Sequence, residues 1–377
     1  MTLDELGYTG SHSSTAPSCP WSEIMKLSCV KLASLTVLAL VFYGVGNGPL
    51  PAADQISYIE LDGSSIERLD PQFDKLIADG AKIEKLVEGF EWAEGPVWNR
   101  KEGYLLFSDI PNNAVNRWQP GKRLSLFLRP SGYTGRTPRE GELGSNGLVY
   151  DSQGRLVLCQ HGDRRIARLE GKNKFKTLAD KFEGKRFNSP NDGVFKSNGD
   201  LYFTDPPYGL LSDPNDLELR RDQELDFCGV FRVSTKGKVT LLTDQMTRPN
   251  GIAFSPDETI LYVAQSDRKA PLWMAFNVAE NGTIDKGRTF FDASELSKDK
   301  ERNAGSPDGL KVDRDGNLFA TGPGGVLVFS PDGTHLGTLR TGQATANCAW
   351  GDDGSTLYIT ADMYLCRVKT TTRGLGF

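Results

Sequence analysis

From about residue 93 onward the apolar positions fall into short blocks closed off by polar turns, with no stretch of helical period between them. YLLF (104–107), LVLC (156–159), LYF (201–203), ILYV (260–263), LFA (318–320) and LYIT (357–360) are too short for helices and rich in β-branched and aromatic residues. Most follow a turn such as SQG (152–154), SNG (197–199), SPDE (255–258), RDG (314–316) or DDG (352–354), and another apolar run precedes that turn. Each block is therefore predicted to be one arm of a β-hairpin.

The hairpin recurs six times, at 93–109, 145–162, 190–206, 249–267, 307–322 and 346–362. Aligned on Gly95, Gly147, Gly193, Gly251, Gly309 and Cys348, the copies lie 39 to 58 residues apart, room for one four-stranded unit each. Further strand-like runs between copies, such as GVFRV (229–233) and GVLVF (325–329), complete the units. The predicted fold is all-β, a six-bladed β-propeller with four-stranded blades over residues 79–372. The last copy supplies only three strands, so the run AKIEKLVEGF (81–90) is expected to close the last blade from its outer side. Residues 54–78 then form an exposed linker or cap. The 41 Gly, 20 Pro and 36 aromatics suit many short strands joined by tight turns.

Upstream, Leu32 to Val45 is a run of 14 apolar or small residues, short of the about 20 needed to span a bilayer. Lys26 and Lys31 precede it, Gly44 stands near its end and Gly46, Ala52 and Ala53 follow, the layout of a secretory signal peptide over 25–53 beginning at Met25. Residues 1–24, acidic where a leader is normally basic, read as an over-extended start or a disordered segment. The protein is thus expected to be exported, periplasmic or secreted, with no membrane span once the signal is cleaved. Cys159, Cys228, Cys348 and Cys366 sit in apolar strand contexts and are expected to be buried thiols. With no CxxC and three histidines in the chain, zinc-finger chemistry is unsupported. A net charge of −5 without a basic block gives no footprint for nucleic acid.

The residue before each aligned position is Glu94, Asn146, Asp192, Asn250, Asp308 or Asn347, with Asn191 beside Asp192. In a propeller these positions open into the mouth of the central channel. All are carboxylates or carboxamides, and Glu is a poor turn residue, so loop capping alone accounts for them badly. Convergent oxygens without histidine or cysteine suit a hard cation, Ca²⁺ before Zn²⁺, Mg²⁺ or Mn²⁺. No GxSxG, P-loop or Rossmann glycine pattern stands between a strand and a helix.

The motifs AEGPVW, SPNDG, RPNGIAFS and SPDGLKVD, in this order, resemble the gluconolactonase, regucalcin and luciferin-regenerating-enzyme family over about residues 80 to 370. The resemblance implies a calcium or similar divalent ion held by Glu94, Asn191, Asn250 and Asp308, Asp308 acting as catalytic residue on water, and hydrolysis of a sugar lactone. Asn146, Asp192 and Asn347 are the remaining ring candidates for substrate binding. The run CQHGDRRI (159–166) is similar to bacterial and fungal members; its His161 either faces substrate or is a satisfied structural histidine. Tyr208 in FTDPPYGL either faces the pocket or packs in a rigid turn. Animal members carry an Arg two residues before the Asn matching Asn191, whereas here Arg186 stands five before it. The insertion 130–145 reads as a mobile lid, a specificity loop or a surface excursion, and a second insertion spans 209–227. A phosphotriester or aryl-ester hydrolase and a non-catalytic, calcium-stabilised binding propeller are the rival functions.

Overall fold

The computed structural model describes residues 58–139, 141–213, 216–220 and 222–377; the expected start segment and signal peptide lie outside them. The described chain folds as six antiparallel sheets of four or five strands, each one blade, plus two small hairpins at 181–186 and 211–220. This is the six-bladed propeller expected. The innermost strands are Ala93–Asn99, Ser145–Tyr150, Gly193–Phe195, Pro249–Phe254, Leu310–Val312 and Thr345–Gly351, in blades one to six.

Every blade is buried on both faces, which is why its strands read as unbroken apolar runs rather than alternating ones. Successive side chains point to opposite faces. In blade one Tyr104 and Leu106 therefore pack against Leu148, Leu156 and Leu158 of blade two, while Leu105 and Phe107 pack against Ala349, Tyr358 and Leu365 of blade six. The same division produces six hydrophobic clusters, one at each interface between neighbouring blades. Cys159, Cys228, Cys348 and Cys366 are buried thiols, as expected.

The ring closes as the strand count required. Glu84–Glu88 pairs antiparallel with Tyr364–Lys369 as the fourth strand of blade six, and Glu84 accepts a 2.6 Å bond from the Arg367 guanidinium across that seam. Residues 58–76 are more than an exposed linker or cap. Ile59–Glu60 adds a fifth strand to blade six and Ser65–Arg68 one to blade five. Phe73, fully buried, then enters the cluster between those blades. Its apolar anchors are single residues spaced among charges, too sparse to announce burial in the sequence.

On the axis the blades meet through glycine. A Cβ on Gly309 would stand 2.0 Å from the Asn347 carboxamide carbon, and one on Gly251 would stand 2.2 Å from the Asp308 carbonyl oxygen. Neither glycine has an unusual φ; close approach alone demands it. Gly251→Ala is therefore expected to cost about 1–3 kcal/mol in urea unfolding. Gly193→Ala, whose Cβ would lie 3.3 Å from its nearest neighbour, should cost clearly less. Equal losses would show that the axial contact is not the constraint.

Candidate active site

Four innermost strands carry a register shift where they reach the axis, between Glu94 and Val97, Ser145 and Leu148, Pro249 and Ile252, and Thr345 and Asn347. Such bulges break the in-out alternation and re-aim a side chain. Here they fall at the ring positions. In blades three and five the paired strand begins only after Asp192 and Asp308. Hydroxyls from three of the second strands then latch the ring segments of blades two, four and six to the blade before them. Ser108 donates to the Asn146 carbonyl at 2.8 Å, Thr204 to that of Asn250 at 2.7 Å and Thr321 to that of Ala346 at 2.8 Å. The sequence reading missed these three residues, although a hydroxyl recurs in FSD, FTD and ATG.

At this mouth lies a cavity of about 600 Å³ whose wall includes Glu94, Asn146, Asn191, Tyr208, Asn250 and Asp308. The Oδ1 atoms of Asn146, Asn191, Asn250 and Asp308 are all buried without a hydrogen-bond partner. An unsatisfied buried polar atom costs about 1–3 kcal/mol, so four facing one space call for a common electropositive partner. The donor set of carboxylates and carboxamide oxygens fits a hard divalent cation. Among the described residues no three His, Cys, Asp or Glu side chains gather as a metal-binding group, so the fit rests on the amides as much as on Glu94 and Asp308.

The carboxylates are held in a state that asks for positive charge. Burial, then the nearby Asp192 carboxylate, pushes Glu94 up to about 8, against the partial relief of the Gly95 N–H and the Asn347 amide. Burial foremost, then Glu94, Asp192 and Glu142, raise Asp308 well above the ordinary carboxylate range. A cation among them would reverse the cause of both shifts.

The ring does not place all its members alike. Asp192 and Asn347 are buried, but neither lines the cavity. Asn347 Nδ2 donates to Glu94 at 3.1 Å and to Asp192 at 3.4 Å, while its Oδ1 accepts the Cys348 N–H at 2.9 Å. These two ring candidates for substrate binding thus brace Glu94 from behind. Lys311 stands 4.0 Å from Asp192 and offsets part of the cost of burying it.

Tyr208 does reach the cavity wall, its ring 5.8 Å from the Arg248 guanidinium. His161 does not: it is fully buried behind the wall, its Nδ1 2.6 Å from Glu142, a wall residue carried by the 130–145 insertion. Arg186 also lies off the wall, donating to the Asp163 carbonyl at 2.9 Å. Glu142, Trp92 and Ser266 are wall residues that the repeat could not reveal, because none occupies a ring position.

Fold and site together define a six-bladed propeller with an oxygen-lined reaction pocket on its axis. Residues 92–362 match the SMP-30/Gluconolactonase/LRE-like region, and the chain belongs to that family. It is 36% identical to a gluconolactonase of Zymomonas mobilis over 92% of this chain and 97% of that one. The solved structure of a gluconolactonase from Xanthomonas campestris superposes with a TM-score of 0.72 at 30% identity, over 83% of this chain and 97% of that one. A calcium-binding regucalcin from Agrobacterium tumefaciens shares the fold, with a TM-score of 0.58 at 19% identity over 76% and 92% of the two chains.

The raised carboxylates carry a pH test. A folded-state pKa above the unfolded one adds stability that is complete below the unfolded value and lost as pH rises through the folded one. Metal-free protein should therefore lose thermal stability from about pH 5 to pH 8, by at most about 1.4 kcal/mol per pH unit per raised group. Saturating Ca²⁺ should flatten that slope, and Tm against pH with and without the ion is the measurement. A flat metal-free profile would show that Glu94 and Asp308 ionise freely.

Proposed function

We infer that the chain is a lactone hydrolase of the gluconolactonase type, opening a sugar lactone by attack of water on its carbonyl. Family membership and the 36%-identical gluconolactonase support the class. The observation that carries the site assignment is the set of unpartnered buried oxygens facing one cavity together with Glu94. Glu94, Asn191, Asn250 and Asp308 would hold one divalent ion, Ca²⁺ foremost. When bound, such an ion supplies Lewis-acid polarisation of the substrate carbonyl.

The remaining work falls to side chains. Asp308, besides holding the ion, would take a proton from the attacking water. Water oxygen bonds to the carbonyl carbon, the bond from that carbon to the ring oxygen breaks, and the ring oxygen leaves as a hydroxyl of the open-chain acid. Asn146 offers a further acceptor on the wall. Ser266, Ser297, Asn303, Ser306 and Thr345 line the same cavity. Export through the apolar run at 32–45 belongs to this reading; an intact mass of the secreted chain that retained residues 25–45 would overturn it.

Asp308→Asn separates support of the cation from proton transfer. The amide keeps a carbonyl oxygen but is no base near neutral pH, so kcat on an aldonolactone at saturating Ca²⁺ should fall about 10²–10⁴-fold. Recovery of near-normal kcat by excess ion would assign Asp308 to ion binding alone.

A further inference from the structure

The insertion at 130–145 is anchored at several of its described residues, although 134–138 are exposed. Asn113 Oδ1 accepts the N–H groups of Ser131 at 3.0 Å and Gly132 at 2.7 Å, and Gln160 Nε2 donates to the Ser131 carbonyl at 2.7 Å. Ser131 itself is fully buried. Farther along, Arg139 donates to the carbonyls of Gly209, at 2.6 Å, and Gly162. These bonds hold the segment by its backbone at Ser131 and Gly132 and by the Arg139 side chain, and none of them involves Glu142. Yet Glu142 is the residue the insertion sends to the cavity wall.

The carboxylate arrives with one oxygen already engaged. His161 Nδ1 lies 2.6 Å from Glu142 Oε2, with the His161 side chain fully buried and that of Glu142 36% exposed. The other ring nitrogen, Nε2, is buried and has no hydrogen-bond partner. A proton there would be a buried donor without an acceptor, which assigns it to Nδ1, pointing at Glu142. His161 is then a donor that fixes one carboxylate oxygen and leaves Oε1 to the cavity. Glu142 and Asp308 line the same cavity.

We propose that Glu142 is the substrate-orienting residue of this site: its free oxygen accepts hydrogen bonds from hydroxyls of a polyhydroxylated lactone, turning the carbonyl toward Asp308, while His161 acts as its positioning residue. This rests on the lactone-hydrolase reading. A carboxylate accepts hydroxyl protons strongly, and a wall that binds hydroxyls rejects the analogue lacking them because its polar groups stay unpaired.

The test pairs variants with two lactones of one ring size, glucono-1,5-lactone with its hydroxyls and δ-valerolactone without. In the calcium-loaded full chain, Glu142→Gln should lose about 10- to 100-fold in kcat/KM on gluconolactone, chiefly through KM, and less than about threefold on δ-valerolactone. His161→Phe should shift the same ratio in the same direction by less, and Glu142→Asp, which keeps the charge, should recover part of it. Should the amide variant fail to fold, as judged by Tm, the Asp variant and His161→Phe carry the comparison. An equal fall on both lactones, or no change on either, would overturn the proposal. If the wild type opens neither lactone, the lactone-hydrolase reading fails separately, and calorimetric titration with gluconate decides this one. Binding to the wild type that weakens in Glu142→Gln supports it; equal affinity, or no binding to either, overturns it.

Discussion

The structure depends on six polar segments converging on one axis with no room for side chains between them. Each ring residue directs a carboxylate or carboxamide inward, and the next residue in most blades is a glycine that lets the neighbouring blade touch its backbone. Hydroxyls on the second strands add bonds from blade to blade at the same depth. Polar groups crowded away from water are costly unless each finds a partner. The molecule satisfies part of this ring internally, through Asn347 between Glu94 and Asp192. The Oδ1 atoms of Asn146, Asn191, Asn250 and Asp308, all cavity-lining residues, are left without a partner from the described chain.

That division explains how a rigid scaffold presents a reactive site. The six clusters between blades are wholly apolar contacts, and stability of the ring resides there. The axial oxygens can then be arranged for binding rather than for folding. The outer strand at 84–88 and the fifth strands at 59–60 and 65–68 cover the edges where the ring closes.

The insertion is a second layer on this plan. It obeys no repeat and its described residues before Ser145 contribute no strand to a blade, yet it is tied to blades one and two through Asn113 and Gln160, which bond its backbone, and to blade three through Arg139, whose side chain bonds Gly209. Anchoring of this kind gives a loop the positional accuracy of a strand, which a group meant to meet substrate needs.

Much was legible along the chain. The number of hairpins, their turns, the ring positions and the missing strand at the seam follow from periodicity and spacing, because pairing and burial within a hairpin are decided by residues a few positions apart. Reading Glu94, Asn250 and Asp308 as neighbours required only that the repeats be equivalent, whereas Asn191, one residue before the aligned Asp192, joined them through the family resemblance. Equivalence also misled, since it offered Asp192 and Asn347 the same role as Asn146. Only the tertiary structure decided which ring residues look into the cavity and which brace them, because bulges and contacts with the next blade, some 40 to 60 residues away in sequence, aim each side chain. It likewise placed His161 behind Glu142 and Phe73 inside a blade interface. Neither position carries a local pattern, and each is set by surfaces that exist only once the ring has closed.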